Sequence, residues 1–375
     1  MADPAETLRW YYTHPLAAAR LAADAGHPVI GITATTVPSE IIAAAGAFPV
    51  VLRRPPGPTP LAGEYLEPDV FAPRIRGIFE GLASGEWPFL RAVVIPRTSE
   101  QEYKLFLYLR ELTRDGALPH LPPVFLYDLL HTQSQAAFEH GLARTVDLKA
   151  RVEQLTGRCI DLAAMNAAIG LANAARRATA RLLRLRSGRP RVRGADALPL
   201  LGACQFMDPA EYAPLAEAAA GTLEDGPEQR GPRVVVSGAP VDDDVLHATI
   251  ESLGAVVTWE EDYGGGRIEG PDIVEGSDPL AAIFDHYYHH VPSPRVFPCE
   301  ASDAPFEAAV RGGADGVVFY LPPDDSVAGW DYPRRKRFAE RLGIPTIMVR
   351  ETPEALTDDG RECLARFVAG LRART

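Results

Sequence analysis

The feature that most restricts the fold is a recurrence of short, β-branched runs, apolar on both faces and bounded by glycine or proline. Pro28–Thr33, Pro49–Leu52, Arg91–Ile95 and Val124–Tyr127 form one set; Arg233–Ser237, Ala255–Trp259, Gly316–Leu321 and Ile344–Arg350 form a second. A strand with two apolar faces needs cover on both, which parallel sheets obtain from their crossover helices. Between the sets, Ser134–Ser187 is rich in alanine, leucine and arginine and favours helix throughout, with one break at Gly157. Ser187-Gly188-Arg189-Pro190-Arg191 then reads as a helix stop, and Glu224–Pro232 as a polar link. A single core stops growing at about 250–300 residues, and the chain has 375. The reading is therefore an α/β chain of two parallel-sheet domains joined by a helical connector. Its divisions are residues 1–133 (an N-terminal helix plus the first α/β domain), 134–231 and 232–375.

Charge narrows the partners. Lysine and arginine number 38 against 50 aspartates and glutamates, a net −12, which argues against a nucleic-acid or anionic-membrane binder. The longest mostly apolar run, Ile41 to Leu52, falls short of the roughly 20 residues a bilayer requires. Met-Ala-Asp-Pro-Ala-Glu has neither the basic nor the apolar region of a secretory signal, so a cytoplasmic location is expected. Cys159, Cys204, Cys299 and Cys363 lie far apart with no CxxC spacing, and read as free thiols.

Open parallel sheets hold ligands at the carboxyl ends of their strands, so chemistry is sought in the loops there. They read Thr33-Ala34-Thr35-Thr36-Val37-Pro38-Ser39-Glu40, Pro96-Arg97-Thr98-Ser99-Glu100, Ser237-Gly238-Ala239-Pro240, Glu260 to Arg267, and Pro322-Pro323-Asp324-Asp325-Ser326.

Together these loops resemble the family of 2-hydroxyacyl-CoA dehydratase and benzoyl-CoA reductase subunits. Gly31…Val37-Pro38-Ser39-Glu40…Ala44-Ala45-Gly46-Ala47…Pro49-Val50 is similar to the family's opening signature, and Asn173 and Arg176 to its helical connector. Ser237-Gly238-Ala239-Pro240, Ile250-Glu251…Gly254-Ala255-Val256-Val257, Asp278-Pro279-Leu280-Ala281, Gly316-Val317-Val318-Phe319-Tyr320 and Gly343-Ile344-Pro345-Thr346 continue the likeness in order. The resemblance implies two Rossmann- or flavodoxin-like halves, and two related subunits around an acyl-CoA site. It also implies three cysteines per subunit on a [4Fe–4S] cluster, which receives an electron from an ATP-dependent activator and passes it to the thioester carbonyl.

Carried onto this sequence, the three cysteine positions fall at Ser99, Tyr263 and Asp325, and a further Cys-Pro becomes Ser293-Pro294. Hydroxyl, phenol and carboxylate do not replace soft thiolates on iron. The expectation is a chain with no cofactor or metal of its own, any [4Fe–4S] cluster residing in a paralogous partner. Such a chain is a cluster-less subunit that contributes acyl-CoA binding and pairing, with a cluster-bearing paralogue or a second copy as partner. Tyr263 and Asp325 are then its candidate catalytic acid–base groups, and Thr35, Ser99, Gly265 and Arg267 its candidate substrate-binding residues. Two alternatives stay open: a redox-independent enzyme acting on a thioester or small acid in the emptied cavity, and a binding or scaffold protein without chemistry.

Other motifs have two readings each. Gly264-Gly265-Gly266-Arg267 is an anion-binding turn or a flexible one. Ser237-Gly238 offers amides to a phosphate, but the acidic Asp242–Asp244 favour a plain helix cap. His286 and His290 stand one helical turn apart, as metal ligands or as cations meeting a helix C-terminus. Ser99, Tyr263 and Asp325 could also offer oxygen to a hard metal. Arg184–Arg193 and Pro333–Arg337 are basic stretches that face CoA phosphates or an acidic partner, or are solvated helix ends. No GxGxxG, Walker or GxSxG motif is present.

Overall fold

The computed structural model describes residues 3–241, 243–261, 270–291, 293, 296–323, 328–351 and 356–374. Its strands are β1 (Val29–Ile32), β2 (Phe48–Val51), β3 (Leu90–Pro96), β4 (Val124–Tyr127), β5 (Arg233–Gly238), β6 (Val256–Glu260), β7 (Gly316–Tyr320) and β8 (Thr346–Val349). Each overlaps one of the eight apolar runs. They form two four-stranded sheets, ordered β2-β1-β3-β4 and β6-β5-β7-β8, and every pairing is parallel. β1 and β7 are buried along their whole length, as strands covered on both faces must be.

The two orders are the same order. In each half the first strand lies between the second and the third, so successive crossovers leave it in opposite directions. A crevice opens at the carboxyl ends of that central pair, β1/β3 in one sheet and β5/β7 in the other. The loops selected from the sequence therefore lie at the two topological switch points.

The connector begins with helices Gln135–Thr156 and Leu162–Arg184, capped at their starts by Ser134 and Asp161. Gly157 ends the first in the left-handed region (φ 67°), where its N–H reaches Glu153 O at 2.8 Å. That conformation favours glycine, and it explains the break. Helices Gly194–Gly202 and Pro209–Glu224 complete a separate core with Ala178, Leu182, Leu200 and Tyr212, into which Leu8 of the N-terminal helix Pro4–Thr13 also packs.

Buried ion pairs lock the connector to the second sheet. Arg186, fully buried, donates to both carboxylate oxygens of Glu260 at the end of β6, and His247 Nε2 lies 3.1 Å from the same group. Burial opposes the Glu260 charge, but Arg186 and His247 hold its carboxyl well below the usual range. Glu251 accepts from the Gly194, Ala195 and Val257 amides at 2.7, 3.1 and 3.0 Å. It supplies the anionic cap that helix Gly194–Gly202 lacks in its own sequence. Arg186 thus faces neither solvent nor a phosphate; its guanidinium is committed inside the fold.

Candidate functional site

At the first switch point the polar side chains satisfy one another. Ser99 is the N-cap of helix Glu100–Arg114 and forms a capping box with Glu102. Its Oγ accepts from the Glu102 amide at 3.1 Å, while its own amide donates to Glu102 Oε2 at 3.0 Å. Thr33 Oγ1 donates to Glu102 Oε1 at 3.1 Å, the Thr36 and Thr98 hydroxyls meet at 2.6 Å, and Arg74 donates to the Thr33 carbonyl. Thr33, Thr36, Thr98 and Glu102 are all buried. Burial pushes the Glu102 carboxyl above the usual range, and Arg74 with the hydroxyl donors offsets this only in part.

The second switch point also holds an internal anion. Glu261, directly after β6, accepts from the Ser237 hydroxyl at 2.9 Å and the Gly238 amide at 3.1 Å. Arg335, 3% exposed, donates to Glu261 and to Ser237 Oγ, and its Nε reaches Asp303 at 2.9 Å. Arg334 also pairs with Asp303 and lies 2.9 Å from Asp331. Burial opposes the Asp303 charge, yet the two arginines hold its carboxyl below the usual range. The Gly238 amide is therefore committed to Glu261 rather than open to a phosphate. The acidic stretch does cap the next helix: the Val245 amide at the start of helix Val245–Ser252 donates to Asp243 Oδ1 at 2.9 Å. The second basic stretch resembles the first in sending its central arginine inward.

A cavity of about 140 Å³ opens beside the first switch point. Thr35 lines it together with Glu40, Arg176, Gln205, His286 and Tyr287, against apolar walls from Ile32, Val51 and Met207. Glu40 stands in the first turn of the helix Ser39–Ala44, and its side chain is fully buried. Arg176, from the connector, donates to one of its carboxylate oxygens, and Tyr287 donates to the other at 2.9 Å. A second Arg176 nitrogen reaches Asn173 Oδ1 at 3.0 Å, and Asn173 in turn pairs with both backbone groups of Ile273 at 2.9 Å. Burial would neutralise Glu40, but the Arg176 guanidinium keeps its carboxyl below the usual range. The Tyr287 phenol is pushed up by burial and by the adjacent Glu40 charge. His286, 5% exposed, is pushed down to about 4 by burial and by the nearby Arg176, and so is neutral at pH 7.

These chain-wide features match the model of the 2-hydroxyglutaryl-CoA dehydratase D-component over residues 34–354. The chain belongs to that family. No curated protein matches the chain. The matched model describes one component of a dehydratase, and the two parallel sheets carry the fold that the resemblance implies.

Family membership raises the question of a [4Fe–4S] cluster; of the three positions the resemblance assigns to its ligands only 99 lies among the described residues, and its donor does not fit one. At position 99 the side-chain oxygen is held in the capping box. Cys159 lies between connector helices, Cys204 in the short turn Ala203–Gln205, Cys299 in the turn Cys299–Ser302, and Cys363 in helix Asp358–Arg372. Among the described residues, no three histidines, cysteines, aspartates or glutamates cluster as metal ligands. His286 and His290 part company, His286 being buried at the cavity and His290 exposed at the helix end.

Of the six candidate site residues, Thr35 lines the cavity and Ser99 caps a helix. Tyr263, Asp325, Gly265 and Arg267 lie outside the described residues. In the sequence Glu40 and Arg176 stand only as marks of resemblance, and nothing there points to Tyr287. The available signal was a glutamate in a short helix after Pro38 and Arg176 among the four arginines of the alanine-rich connector helix, two charges that burial obliges to pair.

Proposed function

We propose that the chain is a cluster-less subunit of a 2-hydroxyacyl-CoA dehydratase-type complex, contributing acyl-CoA binding and subunit pairing rather than electron transfer. The observation that carries this reading is the state of position 99, where a hydroxyl stands in for the family's thiolate and is built into a helix cap. A chain that keeps the family's two sheets and the Glu40–Arg176 pair while losing soft ligands retains the means to shape a pocket. Electrons then reach the thioester through a cluster-bearing paralogue. In this reading Thr35, Ser99, Gly265 and Arg267 lie along the substrate path, with Tyr263 and Asp325 as its acid–base groups.

The test is anaerobic recovery of the tagged chain from its native host. Co-purification of a related, iron-containing chain is the expected result; recovery of the chain alone or only with itself contradicts the pairing. A second reading, redox-independent chemistry on a thioester or small acid, draws support from the neutral His286 beside a preformed cavity. Turnover of acyl-CoA by the isolated chain would favour it.

A further inference from the structure

Helix Leu162–Arg184 carries no charged residue before Arg176. Its two asparagines are taken up by backbone, Asn166 at Gly276 and Asn173 at Ile273. Ala163, Ala167 and Leu171 are exposed, and their spacing of four sets them on one stripe. A surface helix ordinarily turns polar side chains to water; this one turns alanine and leucine. Leu162 is 53% exposed and Leu171 45%, and Leu21, from helix Ala17–Asp24, is 61% exposed. Leu21 and Leu171 line one groove of about 660 Å³, together with Ala43, Ala164 and the start of β2. β2 is an edge strand. Its Phe48 amide points inward to Pro28 O at 2.8 Å, so the next position, Pro49, falls on the outer side and has no N–H to offer. The groove therefore suits packed side chains rather than an added strand.

Charge at the groove is divided between its ends. Arg158 and His27 stand at the amino end of β2, where an added Cβ on Gly46 would meet the Arg158 guanidinium. Asp208 and Glu211 stand at the carboxyl end, where Arg53, just after β2, lies over the rings of Tyr12 and Phe206. The helix that Asp208 caps runs beside the later turns of Leu162–Arg184, the Tyr212 and Thr179 hydroxyls meeting at 3.0 Å. Glu40, which also lines the groove, is neutralised by Arg176. Among the described residues Arg158 and Glu211 have no ion-pair partner.

We propose that this face is where a second copy of the chain docks, the two helices Leu162–Arg184 lying antiparallel across a two-fold axis at Ala167. A two-fold interface must be self-complementary, and this surface is so in shape and in charge. The stripe is centred on Ala167, so the axis sets Leu171 of each copy on Ala163 of the other. Alanine against alanine at the axis lets the helices approach closely. The same rotation carries the Arg158 end of one groove onto the Glu211 end of the other, pairing opposite charges on both sides of the axis. The inference goes beyond the proposed function and does not rest on it.

The test is sedimentation equilibrium of the full chain at micromolar concentration, with variants at exposed positions. A dimer is the expected species. Leu171→Glu is expected to raise its dissociation constant at least ~10-fold, since the lost burial counts twice. Arg158→Glu and Glu211→Arg are each expected to weaken it about 5-fold, and the two together to restore it, because the swap re-forms both pairs in reverse. Ala167→Cys, made in a chain whose exposed Cys159 and Cys363 are changed to serine, is expected to yield a disulfide-linked dimer on mild oxidation. A monomer throughout, a dimer that Leu171→Glu leaves unchanged, or charge variants whose losses add rather than cancel overturns the assignment. So does cross-linking of Ala167→Cys in the native host to another protein in place of its own copy. A monomer leaves the dehydratase-subunit reading as it was, and failure to recover a paralogue leaves the dimer as it was.

Discussion

At position 99 a hydroxyl occupies the place where the family resemblance sets a thiolate, and the helix that follows depends on it. Ser99→Ala removes the acceptor for the Glu102 amide and is expected to cost about 1 kcal/mol in urea denaturation, the usual worth of an N-cap. An unchanged midpoint would show that the cap carries no stability. Glu40 makes a stronger demand. Glu40→Leu leaves Arg176 buried and without its carboxylate, and breaking such a pair costs about 3–5 kcal/mol; a loss below ~1 kcal/mol would refute that account of the pair. His286 gives a pH signature. Its folded value of about 4 lies below the ordinary 6.5, so between those limits the unfolded chain binds more protons than the folded one. The contribution is therefore fully present above pH 6.5 and is lost as pH falls towards 4. Denaturation midpoints across that window are expected to fall less steeply in His286→Phe than in wild type, and parallel slopes would exclude His286 as the source. Little of this residue-scale detail was legible beforehand. The Ser99 cap is local, its partner Glu102 standing three residues on, but for Glu40 and His286 burial and pairing come from residues more than a hundred positions away.

Strands and helices were far more legible, because each depends on local pattern. All eight apolar runs became strands, and Gly157 broke the connector where a left-handed residue was required. The loops between them were harder to read. Glu260 and Glu261 look alike in sequence, yet strand alternation sends one to Arg186 in the connector and the other to Arg335 and Ser237. One arginine of each basic stretch, Arg186 and Arg335, thereby becomes a buried anchor, while Arg184, Arg189 and Arg337 stay exposed. Gly238 shows how tightly the second switch point is built. It has φ 133°, and an added Cβ would lie 2.0 Å from the Tyr320 carbonyl oxygen. Gly238→Ala is expected to destabilise by more than ~1 kcal/mol, through both strain and collision with backbone. Wild-type stability in that variant would mean that β5 and β7 can separate at little cost.

Across the whole molecule, two sheets of identical order face a helical connector, and the cavity with Glu40, Arg176 and Tyr287 draws on three elements distant in sequence. Such a site cannot be read from spacing alone; it follows only when burial forces distant charges together. Among the described residues no helix is long and apolar enough to cross a membrane. The matched family description of a dehydratase component supports a partner subunit, and the proposed division of labour leaves redox chemistry to that partner. The most direct test is the iron and acid-labile sulfide content of the chain purified alone under anaerobic conditions, with its visible spectrum recorded alongside. The account predicts iron far below stoichiometric and no cluster absorbance. Close to four irons and four sulfides per chain, with the broad visible absorbance of a [4Fe–4S] centre, would contradict it.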